Sequence, residues 1–306
     1  MNKPLRIGTR GSPLALAQTE LLATALTAKH AHLQVPGGIE IVTITTSGDR
    51  IQDRPLSEAG GKGLFTKEIE EALLAGDIDC AVHSMKDMPT VLPDGLCIPC
   101  LLPREDPRDA FFATTAKTLD DLPDGAIVGT SSLRRQAIVL ARCPQLQVVT
   151  FRGNVGTRLK KLQEGVVDAT LLAVAGLKRL KQEHLIRCIL EPDVMLPAVA
   201  QGAVGIEIRE DDAATRKLLE PVHCNVTELR VTAERAFLAV MDGSCRTPLA
   251  ALMTEPDPQG RARFDALKAE PDGSRVHKVS YMMNVTNLHE AKKVGETAGA
   301  ELLKKS

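Results

Sequence analysis

Residues 126–143, "AIVGTSSLRRQAIVLARC", contain in order the local signals of a strand, a turn and a helix. They predict a strand that ends near Gly129 and a helix with Ser132 as its N-cap, because a serine side chain accepts from the unpaired N–H groups of a first helical turn. Arg134 and Arg135 fall in that first turn. A helix start is already electropositive, so adjacent cations there indicate a bound anion.

The same order of signals occurs in residues 6–17, "RIGTRGSPLALA", with Ser12 as N-cap and Pro13 in the first helical turn. The spacing places an apolar helix face at Leu14, Ala17, Leu21 and Ala25. A second pair also matches: residues 73–87 ("LLAGDIDCAVHSMKD") and 162–177 ("LQEGVVDATLLAVAGL") share a helix end, Gly-x-x-Asp and an apolar strand. Strand–helix alternation of this kind is typical of parallel α/β sheets.

These repeats predict an α/β fold with two similar doubly wound lobes, of the periplasmic-binding-protein type, around a cleft. Residues 196–210, "LPAVAQGAVGIEIRE", predict a strand that returns to the first sheet. After these come a helix, two or three strands with Pro-Asp and Asp-Gly turns, and a final helix, which together predict a small α+β domain. The expected domains are 1–102 with 203–220, 103–202, and 221–306.

Composition narrows the functional classes. Aromatic residues make up only 2% and the net charge is −1, so the stacking platforms and basic field of nucleic-acid binders are not expected. No apolar run has membrane-spanning length, and residues 1–12 lack the apolar core of a signal peptide. Seven cysteines without a disulfide spacing favour a reducing compartment. We expect a cytoplasmic monomer that binds neither nucleic acid nor membrane.

Seven cations lie near strand ends and turns, which predicts a site for a ligand with several anionic groups. They are Arg10, Lys86, Arg134, Arg135, Arg152, Arg158 and Arg179. Neither G-x-x-x-x-G-K-[ST] nor G-x-G-x-x-G occurs, so a polycarboxylate is favoured over a nucleotide. Residues 47–63, "SGDRIQDRPLSEAGGKG", predict a mobile loop or lid with Lys62 near its hinge.

Three further features leave alternatives open. Asp87, after a buried strand, is either a turn residue that caps local amides or an acid/base group in a cationic cleft. Cys245, in a Gly-Ser turn beside an arginine, is either a reactive thiolate or an incidental loop cysteine. Cys97 and Cys100 form one C-x-x-C, which we interpret as two small apolar side chains on a buried strand rather than a redox pair or half of a zinc site.

Eight motifs, in order between about residues 5 and 250, resemble the porphobilinogen deaminase family. They are "HSMKDMP", "EDPRDAF", "VGTSSLRRQ", "RGNVGTRL", "AVAGLKRL", "LPAVAQGAVGIE", "TAERAFL" and "GSCRTP". The resemblance implies a transferase that joins four porphobilinogen molecules into the linear tetrapyrrole hydroxymethylbilane and releases ammonia. It also implies a dipyrromethane cofactor, bound through a thioether to Cys245, on which the oligopyrrole chain grows.

The resemblance further implies roles for individual residues, and no metal. The implied catalytic residues are Asp87, Lys86, Arg10, Arg152 and Arg158. The implied cofactor-binding residues are Cys245, Ser84, Lys86, Asp87, Thr130, Ser132, Arg134, Arg135 and Arg152. The implied substrate-binding residues are Arg10, Ser12, Phe65, Arg152, Arg158, Arg179 and Gln201. The rival hypothesis is a non-catalytic two-lobed anion-binding protein, which would share the fold and the arginines.

Overall fold

The computed structural model describes residues 3–50, 64–241 and 247–305. The predicted cofactor anchor Cys245 lies outside the described residues, as do residues 51–63 of the predicted loop with its hinge residue Lys62. The first residues of that predicted loop form a short helix, Ser47–Arg50, instead. The chain divides into two compact units. Unit 1 comprises Met1–Glu105 and Ala203–Thr227, and unit 2 comprises Asp106–Gly202 and Glu228–Ser306. The three-domain division stays a prediction.

The secondary structure of the described residues alternates between strands and helices along most of the chain. The strands are β1 (Leu5–Arg10), β2 (Ile39–Ile44), β3 (Cys80–Ser84), β4 (Leu96–Leu101), β5 (Asp109–Ala113), β6 (Ile127–Gly129), β7 (Gln147–Val149), β8 (Ala169–Ala173), β9 (Cys188–Leu190), β10 (Val204–Arg209), β11 (Leu249–Met253), β12 (Arg261–Ala269) and β13 (Val276–Asn284). The α-helices are α1 (Pro13–Lys29), α2 (Ser47–Arg50), α3 (Lys67–Ala75), α4 (Leu133–Arg142), α5 (Val155–Gln163), α6 (Val174–Arg179), α7 (Ala213–Leu219), α8 (Asn225–Val240) and α9 (Leu288–Lys304).

The two predicted lobes have the same sheet topology. In unit 1 the strand order is β2-β1-β3-β10-β4, and in unit 2 it is β7-β6-β8-β5-β9. The first three strands of each sheet are parallel, and the fourth runs antiparallel to both of its neighbours. The α/β fold with two similar lobes is therefore confirmed, as is the return of the chain through β10 to the first sheet.

The repeated Gly-x-x-Asp has one structural role in both lobes. Gly76 and Gly165 both have φ of +74°, a left-handed conformation that glycine adopts without strain. Three residues later, the Asp79 carboxylate accepts from the backbone N–H of Arg6 at 2.8 Å, and the Asp168 carboxylate accepts from that of Ile127 at 2.7 Å. The motif thus ends one helix and fixes the next strand against its parallel neighbour.

The predicted start of α1 is confirmed, but its predicted buried face is wrong. Ser12 Oγ accepts from the Ala15 N–H at 3.3 Å, whereas Leu21 is 46% exposed. The fully buried positions are Gln18, Thr19, Leu22 and Leu26. The apolar pattern misses this face because Gln18 is buried as a polar group: its Nε2 donates to Ser84 Oγ at 2.8 Å.

The remainder of unit 2 contains three strands and a closing helix, where two or three strands and a final helix were predicted. The antiparallel sheet β11-β12-β13 follows α8, and α9 follows the sheet. Its side chains Ala250 and Leu267 belong to the same apolar cluster as Ala137 of α4 and Leu171 of β8. Within unit 2, this shared core joins the C-terminal sheet to the second lobe.

Candidate active site

The two adjacent arginines that open α4 share a buried protein carboxylate. Arg134 Nη2 donates to Asp109 Oδ2 at 2.7 Å, and Arg135 donates to both oxygens of the same carboxylate, with Nη2–Oδ1 at 2.7 Å and Nε–Oδ2 at 3.3 Å. Both arginines are 6% exposed and Asp109, at the start of β5, is fully buried. Their other amino groups donate to the carbonyls of Leu196 and Leu171, each at 2.7 Å.

This pairing corrects the electrostatic argument made from the sequence. The anion that offsets the Arg134–Arg135 repulsion is Asp109, so no external ligand is needed to explain why the two cations are adjacent. Burial alone would raise the pKa of Asp109, but the charges of Arg134 and Arg135 hold it well below its usual range. Burial also lowers the pKa of Arg134, and Asp109 opposes that shift.

The cluster still retains binding capacity. Two guanidinium groups and one carboxylate leave a formal charge of +1. Arg134 Nε is buried and has no hydrogen-bond partner among the described residues, which is uncommon for a charged donor. The cofactor-binding roles implied for both arginines stay predictions, and the orphaned donor is compatible with them.

Gln201 also contacts this carboxylate. Its Nε2 donates to Asp109 Oδ1 at 2.9 Å and to the Pro107 carbonyl at 2.6 Å, and the residue is only 1% exposed. Gln201 therefore helps to hold the Asp109 carboxylate that pairs with the two arginines. Its predicted role in substrate binding stays a prediction.

A second cationic feature surrounds Arg158, in the first turn of α5. Burial, followed by the charges of Arg135 and Arg152, lowers the pKa of Arg158 to about 10. Its Nε is buried without a hydrogen-bond partner, and within the described residues the guanidinium makes no ion pair. A cation held next to other cations, without a carboxylate of its own, is stabilised when an anion binds.

The remaining predicted residues of unit 2 have local partners. Thr130 Oγ1 accepts from the Ser132 N–H at 3.1 Å, and Ser132 Oγ accepts from the Arg135 N–H at 3.4 Å as the cap of α4. Arg152 precedes α5, and its carbonyl accepts from Lys161 Nζ at 3.3 Å. Arg179 is the last residue of α6, and its Nη2 donates to the Gly202 carbonyl at 2.5 Å.

In unit 1, Arg10 at the end of β1 pairs with Asp49. Its Nε lies 3.2 Å from each Asp49 oxygen, its Nη2 donates to the same carboxylate, and the guanidinium lies 4.1 Å from the centre of the Phe65 ring. Burial would raise the pKa of Asp49, but hydrogen bonds from Arg10 and Thr46 outweigh it and lower that pKa. Arg10 and Phe65 thus form one contact group that already holds a carboxylate.

Asp87 ends a short 3-10 turn, Met85–Asp87, that follows β3. Met85 anchors this turn in the core of unit 1: it is 3% exposed, and its N–H donates to the Ala203 carbonyl at 3.1 Å. Its side chain packs against Gly205, where a Cβ would lie 2.1 Å from the Met85 sulfur. Asp87 itself is exposed, and its carboxylate makes no hydrogen bond or ion pair with a described residue. A rigid turn thus presents an available carboxylate.

Several residues near Asp87 are held by packing or local hydrogen bonds. Ser84 Oγ donates back to Gln18 Oε1 at 3.2 Å, and Lys86 is half-buried in the turn. Cys97 and Cys100 both lie on β4, and Cys100 is fully buried in the apolar core of unit 1, as the strand interpretation predicts. Cys97 departs from that interpretation, because it is only half-buried and its sulfur accepts from Arg216 Nη2 at 3.2 Å. Within the described residues, no cluster of His, Cys, Asp or Glu could hold a metal ion.

The carboxylates that organise these cations could not be recognised from the sequence. Asp109 lies in the quoted motif "EDPRDAF", but it is 25 and 26 residues from the arginines it binds, and no local pattern connects them. Asp49 lies 39 residues from Arg10. Tertiary ion pairs of this kind have no periodicity, so only the motif itself could have drawn attention to Asp109.

The fold defines a two-lobed α/β protein, and its second unit holds the arginines Arg134, Arg135 and Arg158 at the starts of two helices. A family model described as "Porphobilinogen deaminase, dipyromethane cofactor binding domain" matches residues 5–217, and one for the C-terminal domain of porphobilinogen deaminase matches residues 228–304. The chain belongs to the porphobilinogen deaminase family.

Individual relatives agree with this assignment. The porphobilinogen deaminase of Paracoccus denitrificans is 58% identical over 273 residues, which are 89% of this chain and 86% of that protein. A chloroplastic porphobilinogen deaminase from Pisum sativum is 52% identical over 303 residues, 99% of this chain and 82% of that protein.

Among solved structures, the periplasmic aliphatic sulphonate binding protein from Escherichia coli has a TM-score of 0.42 at 16% identity, over 79% of this chain and 71% of that one.

The family fixes the activity. The chain is a tetrapyrrole-building transferase, a hydroxymethylbilane synthase, that uses porphobilinogen as substrate and a dipyrromethane cofactor. The rival hypothesis of a non-catalytic anion-binding protein is not favoured. Within the described residues, no helix is both long and apolar enough to cross a membrane.

Proposed function

We propose that this chain divides the deaminase reaction between an acid/base carboxylate, Asp87, and a set of arginines that bind pyrrole carboxylates. Every pyrrole of the substrate and of the growing chain carries an acetate and a propionate, so each addition brings two further negative charges. Charge-assisted hydrogen bonds to such groups contribute roughly 1.5–3 kcal/mol each. The observation that carries the proposal is the half-buried cation Arg158, beside Arg135 and Arg152, whose buried Nε has no hydrogen-bond partner and whose guanidinium makes no ion pair within the described residues.

The described residues of unit 2 fit the cofactor by the chemistry of their donors. Arg134 Nε is a buried cationic donor without a partner, and Arg158 lacks an ion pair within the described residues. We assign the carboxylates of the cofactor to Arg134, Arg135 and Arg152, with Thr130 and Ser132 at the same helix start. When bound, the dipyrromethane supplies the free pyrrole α-carbon on which the oligopyrrole grows. Cys245, outside the described residues, is the proposed thioether anchor.

Arg152, Arg158 and Arg179 are assigned to carboxylates of the substrate and the lengthening chain. Arg10 has the same assignment in unit 1, where its present partner is Asp49, so a substrate carboxylate would share or replace that contact. Supporting roles in binding the substrate and cofactor are assigned to Ser12, Phe65, Ser84, Lys86 and Gln201. For Gln201 the support acts through Asp109.

Asp87 is the proposed general acid/base. Loss of ammonia leaves positive charge on the substrate pyrrole, and a carboxylate beside the pyrrole N–H stabilises that charge. The same group can give a proton to the leaving amine and accept one from the new ring junction. Its exposed position on a turn anchored by Met85 gives it access to substrate without loss of orientation.

Substitution of Asp87 by Asn tests this assignment. Proton transfer by a positioned side chain contributes about 10²–10⁴-fold, so Asp87→Asn should lower kcat by at least about a hundredfold without changing the thermal midpoint. Asp94→Asn, another exposed aspartate of unit 1, is the matched control and should keep its turnover. A kcat for Asp87→Asn within about threefold of the control would refute the role.

We also propose that the enzyme acts as a monomer in the cytoplasm. Light scattering at working concentration tests the first statement, and a dimer mass would contradict it. Cell fractionation tests the second. The plant relatives are named as chloroplastic proteins, so recovery in an organelle fraction is the contradicting result.

A further inference from the structure

Glu234 is a fully buried carboxylate in the middle of α8, and both of its oxygens accept backbone hydrogen bonds. Oε2 accepts from the Ala200 N–H at 2.7 Å, and Oε1 accepts from the Met253 N–H at 2.9 Å. A buried charge is retained only where such partners stabilise it. Glu234 therefore ties α8 to the last residue of β11 and to the turn that precedes β10.

The turn it holds has an unusual backbone. Ala200 has φ of +57°, and Lys181 is the other non-glycine residue with positive φ within the described residues. An alanine in the left-handed region is strained by its Cβ and persists only where surrounding contacts hold it. Ala200 is fully buried, and the hydrogen bond from its N–H to Glu234 is such a contact.

The residues that follow Ala200 contact two parts of the arginine site. Gln201 Nε2 donates to Asp109, the carboxylate shared by Arg134 and Arg135, at 2.9 Å. The Gly202 carbonyl accepts from Arg179. If the peptide at Ala200 left the left-handed region, both groups would be redirected, because a change in one φ rotates the chain that follows it.

We propose that Glu234 is a positioning residue of the deaminase site, which holds the left-handed Ala200 and thereby sets Gln201 on Asp109 and Gly202 on Arg179. This inference rests on the proposed binding of pyrrole carboxylates by those arginines. It adds a residue that acts on the site through a strained backbone.

The test uses a glycine at position 200, since glycine adopts positive φ without strain. Glu234→Met removes both acceptors at similar length and should raise the KM for porphobilinogen about tenfold, with a smaller change in kcat, and lower the fraction of purified protein that carries the cofactor mass. Adding Ala200→Gly to Glu234→Met should lower the raised KM by about threefold or more, and Ala200→Gly alone gives the reference value for this comparison. The thermal midpoint should stay low, because the Met253 N–H is still unpaired.

The matched control is Lys181→Gly, which places glycine at the other left-handed position, on an exposed residue. It should restore neither KM nor cofactor content in the Glu234→Met background. If Glu234→Met does not fold, Glu234→Gln, which keeps one acceptor, takes its place in the same comparison.

An unchanged KM in folded protein, or equal recovery by both glycines, or no recovery by Ala200→Gly, would overturn the positioning role. Failure of the proposed function would appear separately, as Arg134→Gln and Arg179→Gln variants whose KM and cofactor content match the wild type.

Discussion

Asp109→Asn is the substitution that most directly tests the electrostatics of the arginine pair. The side chain keeps its shape but loses its charge, and its new NH₂ group faces guanidinium N–H donors where a carboxylate oxygen accepted them. Arg134, Arg135 and Gln201 together donate four hydrogen bonds to Asp109, which is fully buried. The variant therefore leaves two buried cations without a counter-charge.

Removing one partner of a buried ion pair typically destabilises a protein by about 3–5 kcal/mol. The net charge of the cluster rises from +1 to +2 in the variant, and the donors that met the lost oxygen remain buried. The free energy of unfolding of a protein domain is only about 5–15 kcal/mol, so we expect the variant to lose a large share of the stability of unit 2. A loss near 4 kcal/mol corresponds to about a thousandfold change in the unfolding equilibrium.

Urea unfolding followed by circular dichroism measures this loss. The matched control is Asp120→Asn, because Asp120 pairs with Arg142 at 2.7 Å but the two side chains are 56% and 40% exposed. Exposed pairs contribute about 0–1 kcal/mol, so the control should unfold near the wild-type midpoint. If Asp109→Asn were no more destabilising than Asp120→Asn, the buried carboxylate would not be what holds the two arginines.

The pH dependence of the stability difference between wild type and Asp109→Asn provides a second, independent test. The pKa of Asp109 is lowered in the folded state, so its contribution is fully present above its unfolded pKa of about 3.9 and is lost as pH falls toward the folded value. The stability difference between wild type and Asp109→Asn should be constant from pH 7 to about 5 and begin to narrow below about pH 4. A difference that widens in acid would contradict the lowered pKa.

Two further substitutions separate binding from folding. Arg158→Gln should raise the KM for porphobilinogen about tenfold or more. It should leave the thermal midpoint of the cofactor-free protein unchanged or higher, because burial and neighbouring cations disfavour the charge of Arg158. Lys160→Gln, exposed on the same helix, is the control, and equal KM values in the two variants would refute the assignment. Gly205→Ala should destabilise unit 1 by about 1–3 kcal/mol and lower kcat, because its Cβ would displace Met85 and the Asp87 turn. Gly11→Ala, with open space around its Cβ, should do neither, and a normal kcat in Gly205→Ala would show that the turn does not depend on this contact.

Much of the fold could be predicted because its signals are local. Ser12 and Ser132 lie at helix starts, Gly76 and Gly165 at turns with positive φ, and the repeated Asp three residues later pairs with a neighbouring strand in each lobe. Each of these features depends on a few consecutive residues. Their repetition along the chain was sufficient to predict two lobes of one topology.

The site could be predicted only in part, because its organising contacts are tertiary. The sequence placed the cations near strand ends and turns but not their internal partners, Asp109 and Asp49. Polar burial was equally hidden: Gln18 lies on the buried face of α1 because it pairs with Ser84, and Glu234 is buried because it accepts two backbone hydrogen bonds. An apolar pattern has no means of indicating such groups.

The intact mass of the purified enzyme tests most directly whether the oligopyrrole is built on a cofactor tethered through Cys245. Active wild-type protein should be heavier than its sequence by two pyrrole units. Cys245→Ser should lack this mass and turnover, and Cys224→Ser, at a half-buried free cysteine, should keep both. Active wild-type protein at its sequence mass, or a retained adduct in Cys245→Ser, would contradict it.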